Sequence, residues 1–341
     1  MVDRESQLAL EVALTGLADR LGPPDSVIRH LHRLSGGASQ ETWAFEISNS
    51  RGTRALILRR EPFARVSTLQ AGLETEAELI KLAGAAGVPA PSVVYVLRPE
   101  DHCGRGFLMA RLHGETIPRK LLRDAPYIAA RARLTTDCGE ALARLHRITP
   151  SKPLPQPLRI APGSVRVKEL HSAYTDNGLA NPVFAYALKW LADHLPPDPS
   201  PRLVHGDFRM GNLMVDEDGL VGVLDWELAH LGDPMEDLGW LCAPSWRFGE
   251  IDHPVGGFGR REELFAAYEQ ASGQAVDPVR VRFWEVFGAL QWGLMCAGMG
   301  TLFMSGADPS IERGMIARRV SETEIDLLNY LLPKSHGGDH A

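Results

Sequence analysis

The chain has 341 residues, enough for one large domain or two moderate ones. Hydrophobic residues make up 44% and charged residues 23%, a globular balance rather than a disordered or fibrous one. Lys and Arg number 36 against 43 Asp and Glu, a net charge of −7. That argues against a nucleic-acid partner, which demands a basic face, but not against a nucleotide, which needs only a few local cations.

In chain order, residues 5–21 predict a helix, with Leu8, Val12 and Leu17 among its apolar positions. No basic start with an apolar core precedes it, so no secretory leader is expected. Residues 43–47 and 54–59 read as strands, and residues 48–52 supply the turn residues of a hairpin. A helix is expected over 73–83, then strands over 93–97 and 106–110. Beyond Arg111 helical patterns dominate, at 129–146, 183–194, 261–272 and 279–304, separated by proline-rich stretches. The expected fold is therefore α+β in two lobes, with a β-rich N-lobe over 1–109 and a helical C-lobe over 110–341. Residues 283–304 are apolar enough for a membrane span. They contain Glu285 and Gln291 and lack flanking Lys or Arg clusters, which favours a buried core helix and no membrane contact. Cys103, Cys138, Cys242 and Cys296 lie far apart without a CxxC pair, so reduced core thiols and a cytoplasmic location are expected.

Residues 203–225 carry the chemistry. An apolar run leads to His205-Gly206-Asp207, and Asn212 follows Asp207 by five positions, with Gly211 permitting a tight loop. Two further apolar runs, 213–215 and 220–224, flank a Glu217-Asp218-Gly219 turn and read as a hairpin ending in Asp225. Such a hairpin would gather Asp207, Asn212 and Asp225 at one edge. Phosphoryl transfer requires positioning and charge neutralisation more than covalent help. Magnesium takes hard oxygen ligands, so Asp225 and Asn212 suit it, leaving Asp207 to accept a hydroxyl proton. The protein-kinase pattern H-R-D-x-x-x-x-N followed by a metal-binding Asp has this spacing, with Gly206 here in place of Arg and Asp225-Trp226-Glu227 in place of Asp-Phe-Gly.

His205-Gly206-Asp207, Gly211-Asn212, Leu224-Asp225-Trp226-Glu227, and Gly232-Asp233-Pro234 with Asp237-Leu238-Gly239-Trp240 resemble the aminoglycoside phosphotransferase family, which also includes choline and homoserine kinases. The details are most similar to the kinase-like domains related to those fused to some acyl-CoA dehydrogenases. The resemblance implies a bilobal protein-kinase-like fold and phosphotransfer from ATP or GTP. It also implies a structural role for His205. Asp233, Pro234 and Glu236 read as a helix start with a capping box, and Asp233 and Asp237 as scaffold.

On the nucleotide side, Gly36, Gly37 and Ser39 precede the strand at Trp43. Their backbone N–H groups can hold phosphate, though a plain turn would read the same. The family's phosphate-covering loop falls at this position. Alternation places Ala55, Ile57 and Arg59 on one strand face. Arg59 stands where the family has its phosphate-binding cation, with Arg60 the second choice. Glu76 shares the inward face of its helix with Leu73, Ala77 and Ile80 and is the expected partner of Arg59, unless that end of the helix leaves it solvated. From the resemblance alone, adenine belongs near Met109, Ala110 and Leu112.

The resemblance to the acyl-CoA-dehydrogenase-associated kinases implies a small hydroxylated metabolite as acceptor, neutral or anionic, and residues 242–261 are the expected place to meet it, where Arg247, Arg260 and Arg261 lie beside Trp246 and Phe258. The same arginines can also simply pair with neighbouring acids at the surface. No acid-rich stretch suited to a polycationic aminoglycoside is evident. Two other readings stay open: a nucleotide-binding regulator without catalysis, and a metallohydrolase built on His205, Asp207 and Asp225, although HExxH is absent. The oligomeric state is not legible.

Overall fold

The computed structural model describes residues 4–34, 40–61, 70–150 and 152–332. An N-terminal helix α1 (Arg4–Leu21) leads to strands β1 (Val27–Arg33), β2 (Glu41–Asn49) and β3 (Gly52–Glu61). Helix α2 (Leu73–Ala85) and strands β4 (Val93–Val96) and β5 (Arg105–Ala110) complete the front part. The five strands form one antiparallel sheet, in the order β1-β2-β3-β5-β4. Leu10, Leu14 and Leu17 of α1 pack against Trp43, Phe45, Leu56 and Leu108 in a core separate from that of the helical part.

The strand β1 was not foreseen. Five of its seven residues are exposed and most are His or Arg, so the period-two apolar signal is missing. Its pairing with β2 corrects the expected place of the glycine-rich segment. Gly36, Gly37 and Ser39 follow a strand and fall between β1 and β2, rather than ahead of the first hairpin. These residues lie outside the described ones.

Helices α3 (Pro118–Arg123), α4 (Ile128–Leu145), α5 (Gly163–Asp176) and α6 (Pro182–Asp193) follow, then strands β6 (Arg202–Val204), β7 (Leu213–Val215), β8 (Leu220–Val223) and β9 (His230–Gly232). Helices α7 (Met235–Cys242), α8 (Arg261–Ser272), α9 (Pro278–Met304), α10 (Ile311–Ala317) and α11 (Val320–Leu331) close the chain. Two starts show why helices form where they do. Asn181 accepts from the N–H groups of Val183 and Phe184, and Asp277 from those of Val279 and Arg280, each just ahead of a proline in the first turn.

Apolar α9 is long enough to cross a membrane, but half of its most apolar window is buried inside the molecule. It packs against α5, α6, α7, α10 and α11. Gly239 of α7 makes the closest crossing possible, since a Cβ there would stand 2.4 Å from Trp284 Cβ. All four cysteines are buried and free. The fold is thus mixed α/β and bilobal, with an antiparallel sheet in front and helices behind.

Candidate active site

A cleft of about 380 Å³ runs between the sheet and the helical part. Ile57, Arg59, Glu76 and Met109 line it from the sheet side, and Leu112, Asn212 and Asp225 from the other. Ala110 lines it as well, where β5 ends. Its size suits a small ligand.

Asp207 reaches this cleft through its neighbours. Strands β7 and β8 form the expected hairpin, with Leu213 opposite Val223. Strand β6 pairs instead with β9, Leu203 opposite Leu231, a pairing too short and too distant in sequence to be read beforehand. Asn212 Nδ2 donates to Asp207 Oδ2 at 2.6 Å, and the Leu224 N–H donates to the Asn212 carbonyl at 2.8 Å. Asp207, Asn212 and the residue before Asp225 are thereby tied together.

The turn at 205–207 is over-determined. Asp237 accepts the His205 N–H at 2.8 Å and the Gly206 N–H at 2.9 Å. His146 Nε2 donates to the same carboxylate at 3.1 Å, and the Tyr268 hydroxyl meets His146 Nδ1 at 2.9 Å. Gly206 has φ +78°, and a Cβ on it would lie 2.6 Å from the Leu228 carbonyl, so neither backbone nor space admits a side chain. His205 is buried, with Nε2 donating to the Leu224 carbonyl at 3.1 Å and Nδ1 accepting the Asp207 N–H at 3.2 Å. Burial lowers its pKa, which keeps the ring neutral.

Asp233 accepts the Met235 N–H at 3.0 Å and meets Trp284 Nε1 and Arg280. Glu236 does not complete a capping box. It is buried against Arg166 and His230, because a cation and an imidazole enclosed in the fold need an acceptor that carries charge.

On the sheet side, Arg59 faces three carboxylates. Nη2 stands 2.6 Å from Asp225 Oδ1 and 3.2 Å from Glu227 Oε2, and Nε stands 3.3 Å from Glu76 Oε1. The Nε proton is directed at Gln40 Oε1, 2.8 Å away, so the contact with Glu76 is electrostatic. Arg60 points to the opposite face and pairs with Glu41. Burial pushes Glu76 up to about 7, with Arg59 opposing and Asp225 and Glu227 reinforcing the shift. Burial likewise raises Asp207, against the pull of Arg209 and His205.

A divalent cation fits this donor set. Arg59 alone cannot neutralise three acids. Asp225 is the most open of them, its side chain 34% exposed against 1% for Glu76, so it can take an ion from solvent. With Asn212 Nδ2 committed to Asp207, Oδ1 of that amide is left as a hard oxygen. No group of three or more His, Cys, Asp or Glu among the described residues makes a metal cage, so further oxygens would come from a ligand. Asp225 has φ +66°, a left-handed conformation that Asp tolerates better than most residues and that aims its carboxylate across the cleft.

Sequence reasoning missed three residues. Trp240 Nε1 donates to Asp207 Oδ1 at 2.8 Å, Arg209 Nε donates to the same oxygen at 2.9 Å, and Glu227 shares Arg59. Trp240 and Glu227 stood inside the family-like motifs. Arg209 carried no signal beyond lying two positions from Asp207. The arginines expected to meet an acceptor are largely committed: Arg261 to Glu285, and Arg247 to the Cys242 carbonyl and the Tyr330 hydroxyl.

A sheet lobe, a helical lobe and an acid-lined cleft between them define a kinase-like phosphotransferase. Residues 30–279 match the model of the phosphotransferase enzyme family that includes the aminoglycoside phosphotransferases, and the chain belongs to that family. It is 29% identical over 248 residues to mouse acyl-CoA dehydrogenase family member 10, covering 69% of this chain and 22% of that protein. An Escherichia coli aminoglycoside 3'-phosphotransferase is 29% identical over 180 residues, 48% of this chain and 62% of the other. The chain thus spans about a fifth of the first relative's length. Among solved structures, a Ralstonia eutropha JMP134 protein assigned to the aminoglycoside phosphotransferases superposes with a TM-score of 0.73 at 20% identity, over 94% of this chain and 97% of that one. A choline/ethanolamine kinase family protein from Mesorhizobium loti gives 0.56 at 18% identity, over 93% and 95%.

Proposed function

We propose that the protein transfers the γ-phosphate of ATP or GTP to a hydroxyl of a small metabolite. The observation that carries this reading is the convergence of Asp207, Asn212, Asp225 and Arg59 around one cleft. Asp207 accepts the hydroxyl proton. Asn212 orients Asp207 through Nδ2 and, with Asp225, would hold magnesium. When bound, magnesium supplies positive charge against the phosphate oxygens. Arg59 binds phosphate through Nη atoms and is steadied by Glu76. Ile57, Met109, Ala110 and Leu112 offer apolar walls for the base. The division into 1–109 and 110–341 goes with this reading, since the cleft opens where β5 ends. Gly36, Gly37 and Ser39 would cover the phosphates.

Reading Asp207 as a base is favoured over a metallohydrolase because both His205 nitrogens are already engaged. Transfer of labelled γ-phosphate into a metabolite extract by the purified protein tests the proposal. Labelled product should appear only with acceptor, magnesium and intact Asp207. Phosphate release unaffected by acceptor would sink it.

A further inference from the structure

Behind Asp207 the polar atoms are unbalanced. Three indoles form a ladder, Trp240 against Trp246 at 5.2 Å between centroids and Trp246 against Trp292 at 4.9 Å. Trp240 donates to Asp207. The N–H groups of Trp246 and Trp292, and Nε–H of neighbouring Arg247, are buried without a hydrogen-bond partner among the described residues. Trp246 is only 4% exposed. All three orphans are donors, and the only orphaned acceptors among the described residues belong to Glu76, across the cleft. A buried donor left unpaired is destabilising. Two of the three sit on the indole ladder, a wall that carries Asp207's Trp240 partner.

Arg209 adds charge to this wall. Its guanidinium lies 4.5 Å from the centre of the Trp246 ring, with Nε on Asp207 Oδ1 and Nη1 on the Met210 carbonyl at 3.0 Å. Gly211 leaves room for it, since a Cβ there would stand 2.8 Å from Nη1. The arrangement has a chemical drawback. Asp207 Oδ1 receives Trp240 and Arg209 while Oδ2 receives Asn212, and each donor makes the carboxylate a weaker base. An acceptor carrying an oxyanion close to its hydroxyl would offer Arg209 a better partner and leave Oδ1 with the Trp240 donor alone.

We infer that Arg209, backed by the Trp246 face, is the specificity-determining residue for an anionic acceptor, one whose carboxylate or phosphate sits beside the hydroxyl to be phosphorylated. The inference rests on the phosphotransfer reading, with Asp207 as the base. Arg209 binds the oxyanion and moves off Asp207 as it does so. A hydroxylated cation would instead face a guanidinium.

Intrinsic tryptophan fluorescence reads the wall directly. Wild type, R209Q and R209K would be titrated with lactate and with glycerol 3-phosphate, using glycerol and choline as controls. Binding of a fluorescent ATP analogue with magnesium would be measured on the same samples. At least one anion should bind wild type better than either control, and which one responds separates carboxylate from phosphate ester. R209Q should weaken it about 10- to 100-fold, the loss of one charge-assisted hydrogen bond, while nucleotide affinity stays unchanged. R209K should retain part of the anion affinity. Anions that bind no better than glycerol or choline, an anion affinity unchanged in R209Q, or one lost as fully in R209K would overturn the inference. Failure of the phosphotransfer reading would register separately, as absence of magnesium-dependent nucleotide binding with the anion titrations intact.

Discussion

Asp207 is buried, and burial outweighs the donors that hold it. Burial raises its pKa above the ordinary 3.8, so the proton-accepting form exists above that raised value and is lost as pH falls through it. In the proposed reaction kcat should therefore decline on the acid side. D207N should lower kcat by about 10²–10⁴-fold while nucleotide still binds, read by single-turnover kinetics and calorimetric titration. Glu76 provides a second titration. Its carboxyl lies at about 7 in the fold against an ordinary 4.5. A raised carboxyl favours folding most below the ordinary value, and that contribution is lost as pH rises through about 7. Wild type should thus lose more thermal stability than E76Q between about pH 5 and 8, by differential scanning calorimetry. The R59A and E76A effects on nucleotide KM should be far from additive, with a coupling of about 0.5–3 kcal/mol. Additive effects would mean that the 3.3 Å contact does not matter. Calorimetric titration of D225A should show nucleotide binding that no longer responds to magnesium.

At the scale of elements, the 203–225 segment is a turn and a hairpin hung on α7. Asp237 is the hook, since one carboxylate receives two backbone N–H groups of the turn and His146. D237A leaves those donors buried and unpaired, so it should cost about 1–3 kcal/mol for each donor that gains no other partner, read by chemical denaturation, and depress kcat along with it. G206A should be similarly damaging, because the Leu228 carbonyl and a φ of +78° both refuse a Cβ. The hairpin itself was legible, as were Arg59 by alternation along β3 and the inward face of α2 by its three-and-four spacing. Those features depend on neighbours close in sequence. The β1 strand was illegible because its exposed His and Arg hide the period of two. Arg209 was illegible because stacking on Trp246 joins residues 37 positions apart.

For the whole molecule, buried charge inside the helical lobe makes acid the weak point. Glu236 is buried with Arg166 and His230; burial pushes its pKa up, but the Arg166 guanidinium and the hydrogen bonds from both partners outweigh it and hold it down to about 2. A depressed carboxyl contributes stability above its ordinary 4.5 that is lost as pH falls towards about 2. Wild type should therefore destabilise steeply over that window, and E236Q, already weaker at neutral pH, should show a flatter decline in urea midpoints. Residues 242–261 mix arginines with acids rather than forming an acid-rich stretch for a polycation, and Arg209 stands at Asp207. Kanamycin-type drugs should therefore be poor acceptors, with kcat/KM well below the ordinary enzyme range of about 10⁴–10⁸ M⁻¹s⁻¹.

The sheet strands after β1, the helices at 73–83, 129–146, 183–194, 261–272 and 279–304, and the turn and hairpin of residues 203–225 were legible in the sequence alone, because spacing, turn chemistry and apolar period act over short distances, and the motifs of residues 203–240 carried the family resemblance. Tertiary structure alone decided how that pattern is wired. Which donors load Asp207, that Arg59 faces Glu227 as well as Glu76 and Asp225, and that Glu236 serves Arg166 rather than a helix cap are outcomes of packing between segments far apart in the chain. A charge buried by folding must find its partner among whatever the fold brings near, and no local rule names that partner in advance.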